Sequence, residues 1–343
     1  MADGLIACDL TALMSMEPDW WIELESTYRE RIAQRKELYA QHGIRIVNAM
    51  PGSKDACHEL AEAVIQFLCT RYPNQFRCDT AGIVHNAILK TQTDIRTADP
   101  LVFLLENVPE DFMIVQEDKN TGLYHFRAGV STSAIGWDMT TKISKPLHEI
   151  HDPVPYYQEK MQYSMDRCVI SYSRWKMSPH TNEFCYVRFF TKMTCDKPIQ
   201  RGSWGFEKGQ PLHIPAHGPE WALRNKQDPD LDLNNIYLRV DWQTLRRLPK
   251  SRAIVFNFKA LFTPVTHFRE EPFIPRLVAT IIRKSERPFM VYKASSVTEH
   301  KLLPVLDEWA KEQEEKGWVP RDWKVRTLDE NPFYPGWESH HRY

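Results

Sequence analysis

The chain has 343 residues, enough for one large or two ordinary domains. Its 44 Lys and Arg against 45 Asp and Glu leave a net charge of -1, so electrostatics give no reason to expect nucleic acid or another polyanion as partner. Hydrophobic residues at 42% and charged residues at 26% are ordinary for a soluble globular protein, and no run of about 18 apolar residues exists to span a membrane.

The opening residues, MADGLIACDL, lack the basic n-region of a secretory signal. Seven cysteines, an odd number without CxxC spacing, predict reduced thiols in a cytoplasmic compartment rather than a disulfide framework or a zinc site. Aromatic residues at 12% suit deep apolar cavities and equally suit a large core.

After Trp20-Trp21-Ile22, the stretch YRERIAQRKELYAQHG carries charge on most faces. It predicts a solvated helix with a narrow packing stripe, ended by Gly43. Pro51-Gly52-Ser53 interrupts the chain, with Ser53 a candidate N-cap. Ala56, Leu60, Val64, Phe67 and Leu68 then recur at helical spacing through Tyr72, and Pro73 closes the element. His58 and Cys69 on this helix read as bystanders.

From about residue 100 the texture turns to strands. FMIVQED (112–118) and LYHFRAGV (123–130) flank Lys119-Asn120-Thr121-Gly122 and predict a hairpin. STSAIGW (131–137) reads as a small, flexible link into the stretch 142–167. That stretch, KISKPLHEIHDPVPYYQEKMQYSMDR, holds His148 and His151 three apart, and Asp152-Pro153-Val154-Pro155 stops any helix carrying them. Two readings of the pair are open. A histidine fixed at a stiff helix exit is a competent metal ligand, whereas two histidines in a last turn also suit the helix dipole with no ligand at all.

A helix is predicted just after Pro155, and a loosely alternating strand over 184–194. IYLRVDW (236–242) alternates cleanly, with Ile236, Leu238, Val240 and Trp242 on one side and Tyr237, Arg239, Asp241 and Gln243 on the other. Leu248-Pro249-Lys250-Ser251 breaks it, and AIVFNFKALF (253–262) is the return strand. Residues 205–233, rich in Pro, Gly, His and Asp, read as a long loop. A last helix near 297–316 is kinked early by Pro304 and followed by a polar aromatic tail. This order of elements predicts an α+β fold on an antiparallel sheet. Without βαβ alternation or GxGxxG, a dinucleotide-binding fold finds no support.

Five segments in order carry a resemblance: Gln116-Glu117-Asp118, Ala128-Gly129, the block 142–167 with IHDPVP inside it, Arg201-Gly202-Ser203-Trp204, and LRVDWQTLRRLPKS (238–251). They resemble the haem-dependent oxidative N-demethylase family, whose N-terminal helix is also fitted by PGSKDACHELAEAVIQFLCTRYP (51–73). The likeness runs from about Trp20 to Trp323. It implies a PAS-like antiparallel sheet with flanking helices: a haem-binding core over 101–295, an N-terminal helical extension over 1–100 and a C-terminal helix and tail over 296–343, in one compact unit. It also implies haem b, with His151 of the IHxPVP motif as the axial iron ligand and His148 as the fallback.

The resemblance makes Arg201 and Arg239 candidates to pair with haem propionates or an anionic substrate, since guanidinium forks match carboxylates. Trp204 and Trp137 become candidates to stack on the porphyrin or wall its pocket. Sheet-face arginines and core tryptophans remain the plain alternatives. Asp241 and Glu117 are candidate proton-delivering carboxylates, and Trp242 and Gln243 candidate substrate-pocket residues. Two positions depart from the family. Arg239-Val240-Asp241-Trp242-Gln243-Thr244 stands where Arg-Val-Glu-Arg-Gln-Thr is usual, and Ser131-Thr132-Ser133-Ala134-Ile135-Gly136 replaces a small Pro-Ser element. Both changes argue against a dimethylamine-type substrate and for a bulkier, more aromatic one.

The implied function is an O2-using oxidoreductase of the monooxygenase type, acting on a small organic substrate by N-demethylation or C–H hydroxylation. A hydroxylated N-methyl group leaves the amine as formaldehyde. The chain has no flavin or iron–sulfur motif, so electrons come from a separate reductase unless peroxide is used. A haem-based gas or redox sensor and a haem-free binding protein are the rival readings.

Overall fold

The computed structural model describes residues 14–151, 154–155, 190, 192–216 and 218–325. The strand β1 (Met14–Ser15) leads to helix α1 (Tyr28–His42), β2 (Val47–Ala49) and α2 (Lys54–Arg71). A small three-stranded sheet follows: β3 (Phe76–Cys78), β4 (Ile83–Asn86) and β5 (Thr91–Asp94). Then come α3 (Pro100–Asn107), the hairpin β6 (Asp111–Glu117) and β7 (Tyr124–Val130), and short helices α4 (Met139–Lys142) and α5 (Leu147–His151). The second half contributes β8 (Ile199–Lys208), α6 (Pro219–Arg224), β9 (Ile236–Arg247), β10 (Ile254–Pro264), α7 (Ile274–Lys284), α8 (Arg287–Tyr292) and α9 (Glu299–Glu315).

Seven strands form one sheet in the order β1-β8-β9-β10-β6-β7-β2, every pairing antiparallel. The α+β class expected from the sequence is what the chain adopts. Gly43 ends α1 at φ 51°, where a side chain would be strained, and Gly122 turns the β6–β7 hairpin at φ 71°. Ser53 precedes α2 as expected, but its hydroxyl donates to the Met50 carbonyl and does not cap a helix N–H.

Strand parity assigns the sheet two faces. Phe112, Ile114, Ala128, Val130 and Val255 point to one of them, where α1, α2 and α3 cover them with Ile32, Leu60, Val64, Leu68 and Leu104. Farther along that same face, Phe206, Leu238 and Ile236 pack against Val278, Ile282, Leu302 and Leu306 of α7 and α9. The opposite face receives the segment 131–151. There Val115, Phe126, Ile199, Leu245 and Ile254 pack with Met139, Leu147 and Ile150.

Several expectations need correction. The segment 205–233 is not one long loop, because β8 runs to Lys208 and α6 spans Pro219–Arg224, tied back by a buried Arg224–Glu207 ion pair. At the end of the strand expected over 184–194, the described residues Phe190 and Lys192 are helical and Met193 and Thr194 are in no strand; residues 184–189 and 191, and the helix expected after Pro155, lie outside the described residues. The helix α7 was not anticipated; its start at Ile274-Pro275 and the buried Val278, Ala279 and Ile282 account for it. Pro304 does lie inside α9.

The largest correction concerns STSAIGW. Ser131, Thr132 and Ser133 are buried; the Ser131 N–H donates to the Ile46 carbonyl, and Asp111 holds Thr132 and Ser133. Asp111 Oδ2 accepts from the backbone N–H of Thr132 (2.8 Å) and Ser133 (2.6 Å) and from the Ser133 hydroxyl. Its Oδ1 accepts from Thr132 Oγ1 and from Arg35 Nη1 at 2.6 Å. Arg35, on α1 and wholly buried, also donates to the carbonyls of Leu105, Pro109 and Glu110. Taking two ions out of water costs several kcal/mol each, and only such complete hydrogen bonding offsets it. Arg35→Leu should therefore lower unfolding free energy by about 3–5 kcal/mol, and Arg35→Lys should recover only part of the loss, because one ammonium cannot serve the same acceptors. Urea titration measures both; a loss for Arg35→Leu no larger than that of an exposed pair, below about 1 kcal/mol, would contradict this account.

Candidate functional site

The helix α5 is one turn and a half, LHEIH, and it docks on the sheet through Leu147 and Ile150. That docking leaves His151 half-buried at its end. His151 Nδ1 lies 2.8 Å from the Leu147 carbonyl. A carbonyl only accepts, so Nδ1 carries the proton and the neutral ring's lone pair is on Nε2. The Trp137 ring stands edge-on to the imidazole, with centroids 6.2 Å apart. Lys142 Nζ donates to the Ile150 carbonyl at the end of α5 and lies 5.3 Å above the Trp137 ring. His148 shows no hydrogen bond from either ring nitrogen among the described residues. Among those residues, too, no cluster of three or more His, Cys, Asp or Glu is arranged to hold a metal ion.

The same sheet face continues from Ile199 and Leu245 into a polar row on β8 and β9. Arg201 pairs across the strands with Gln243, and its Nε donates to Gln243 Oε1 at 2.6 Å. Ser203 stands opposite Asp241. Arg239 Nε donates to Asp241 Oδ1 at 3.0 Å, a contact between residues two apart on one strand face. Arg239 also donates to the carbonyls of Pro211 and Ser133. With 6% of its surface exposed, Arg239 is largely committed to the protein itself.

The structure thus brings His151 together with Trp137, and Arg201 with Gln243, Arg239 and Asp241, all on one face. The other predicted residues are elsewhere. Trp204 projects from the opposite face of β8 and packs edge-to-face on Phe206, 5.8 Å between centroids, beside the α7–α9 core. Glu117 is exposed at the end of β6. Trp242 and Gln243, expected in one pocket, point to opposite sides of β9. Sequence reasoning missed Arg35, Asp111 and Glu110. It passed over Trp20-Trp21, where two adjacent tryptophans were the available signal.

The chain belongs to the family described as haem-dependent oxidative N-demethylase, alpha subunit-like, which it matches over residues 12–303. Among the described residues no helix is long and apolar enough to cross a membrane. Cys57, Cys69, Cys78 and Cys195 are free thiols.

On the far face, Trp242 lines a pocket of about 330 Å³ with Trp20, Trp21, Leu261, Lys259 and Glu110. Glu110 is 3% exposed. Burial pushes its carboxyl up to about 7, against an ordinary 4.5, although Lys259 pulls the other way. A raised carboxyl keeps a proton in the folded state that the unfolded chain has released, so its contribution to stability falls as pH rises from about 4.5 through about 7. Glu110→Gln should abolish that slope. Relative to wild type, the variant should gain on the order of 1–3 kcal/mol between pH 5 and pH 8, read from denaturant midpoints at each pH. Parallel pH profiles for the two proteins would refute the assignment.

Proposed function

We propose that the chain is a haem-dependent oxidoreductase of the oxidative N-demethylase type, holding haem b on the sheet face that carries Arg201, Asp241 and Gln243, with His151 as axial ligand. The observation that carries this reading is the His151 Nδ1–H bond to the Leu147 carbonyl, which makes Nε2 the basic nitrogen and orients the ring through a backbone atom. His148 lacks such support. Trp137 supplies an apolar wall at the ligand, and the Phe256–Phe258 stack, centroids 5.3 Å apart, extends the aromatic surface along the sheet. We read the fold as PAS-like, with residues 101–295 as the cofactor-binding core between the N- and C-terminal extensions.

Haem, when bound, supplies activation of O2 for oxidation of an N–CH3 or C–H group, with electrons from a separate reductase. Arg201 is the guanidinium we assign to a propionate, and Arg239 spends its fork on Asp241 and two carbonyls. Arg239 acts instead as a positioning residue. It holds the Asp241 carboxylate on the pocket side of β9, where Asp241 can accept or return a proton or pair with an amine. Gln243 orients Arg201. Asp241, one methylene shorter than the family's usual glutamate and drawn back to Arg239, leaves room for a substrate bulkier than dimethylamine. The compartment we assign is the cytoplasm, where thiols stay reduced.

An absorption spectrum of haem-supplied protein tests this. Wild type and His148→Ala should show a Soret band with the axial-imidazole signature, and His151→Ala should lose that signature. The reverse pattern would move the ligand to His148, and a wild-type protein without a Soret band would end the haem reading. In a reductase-coupled assay, Asp241→Asn should lower kcat by about a hundredfold while the Soret band stays in place.

A further inference from the structure

Between β8 and α6 the chain forms a short strap, residues 211–214, that touches three other parts of the molecule. The Pro211 carbonyl accepts from Arg239 Nη1 at 3.2 Å. The Ile214 carbonyl accepts from the Gly136 N–H at 2.8 Å, and Ile214 makes a parallel bridge to Ile135. Leu212 and Ile214 are buried, and between them His213 lies against His42, the last residue of α1. The two imidazole centroids are 4.9 Å apart, with ring planes 46° from parallel. Both ring nitrogens of His213 are buried and have no hydrogen-bond partner among the described residues. The contact is therefore ring against ring, and nothing in it is arranged to receive an extra N–H.

The titratable and charged groups around His213 are His42 on α1, Arg45 in the turn after it, Asp111 at the start of β6 and Asp138 ahead of α4. Neither carboxylate is free to take up a new charge. Asp111 is bound by Arg35, Thr132 and Ser133, and Asp138 accepts from the Thr140 N–H and hydroxyl and stands 3.6 Å from Arg45 Nε. Burial first, and then the neighbouring His42, hold His213 below the ordinary imidazole value of 6.5. A depressed imidazole favours the packed strap while neutral, so that contribution is whole above about 6.5 and is lost as pH falls below it. This is opposite in sign to the effect of Glu110. We propose that the His42–His213 contact is an acid-sensitive clasp: a proton on His213 frees the strap from α1, and with it the two carbonyls that hold Gly136 and Arg239. The clasp needs no haem and stands whether or not haem is bound.

Amide hydrogen exchange on the full chain between pH 8 and pH 5 tests the clasp, with each rate divided by the intrinsic rate at that pH. Protection of the Gly136 amide should be level from pH 8 to about 6.5 and then fall by up to about tenfold per pH unit. The amides of β10, which exchange only by larger openings, should not share that fall. His213→Phe keeps a ring and removes the proton, so its Gly136 protection should stay level down to pH 5. His213→Gln, smaller and equally uncharged, should be level as well, at lower protection, and it serves if the phenylalanine variant does not fold. His42→Ala should lower Gly136 protection across the whole range, because the ring contact itself is gone. The inference is overturned if Gly136 shows no fall below pH 6.5 in the wild type, if the fall persists in the His213 variants, or if Gly136 and β10 follow one curve, which would make the event global unfolding. None of these results bears on the Soret band, so the proposed function stands or falls separately.

Discussion

Arg35 and Asp111, two ions with no water contact, tie three parts of the chain together. Arg35 comes from α1, Asp111 starts β6, and four of the five hydrogen bonds that Asp111 accepts come from Thr132 and Ser133 and fix that segment. That segment does more than fill space. Its Ser133 carbonyl accepts from Arg239, and Arg239 in turn holds Asp241. The chain of contacts from α1 to the polar row of β9 is continuous and largely buried. Without the pair, the Thr132 and Ser133 N–H groups would lose their carboxylate acceptor, and the position of the Ser133 carbonyl that Arg239 bonds would be less well fixed.

Period-2 geometry then decides which chemistry goes where. Asp241 and Trp242 are neighbours in sequence yet serve different sides of the sheet. Glu110 and Asp111 divide in the same way: Asp111 organises the loop on the imidazole side, and Glu110 lines the pocket on the other. Arg35 bridges the two, donating to the Asp111 carboxylate and to the Glu110 carbonyl. The two faces of the sheet therefore share one buried ion pair as a common support, and a change to that pair would reach both.

Much of the scaffold was legible. The apolar repeat in α2, the Gly122 hairpin, the clean alternation of β9 and its return as β10 each rest on local rules that the chain obeys. The His151 ring, for its part, is held by its own helix. Partnerships across the chain were not legible. Nothing near Arg35 announces a wholly buried guanidinium, because α1 looks like a charged surface helix and its one packing stripe includes that arginine. The serines and threonine of 131–133 read as a loose link because their polarity is satisfied by an aspartate twenty-one residues earlier for Thr132, a contact set by sheet register. The mixed 205–233 segment hid β8's end and α6, since Pro and Gly there begin a helix as readily as they end one.

Register also changes what the departures from the family mean. Shortening a glutamate to Asp241 alters the face with His151, Arg201 and Gln243. Replacing an arginine by Trp242 alters the other face, where the indole meets Trp20 and a buried carboxylate instead of the polar row. The two substitutions are adjacent in sequence but cannot act on one bound molecule through direct contact. An arginine at position 242 would bring a third cation beside Lys259 and Arg246 and could pair with Glu110; a tryptophan there leaves that carboxylate oxygen without a donor and adds an aromatic wall. Trp242 thus lines a pocket whose buried Glu110 carboxylate keeps an unmet acceptor, on the face away from Asp241.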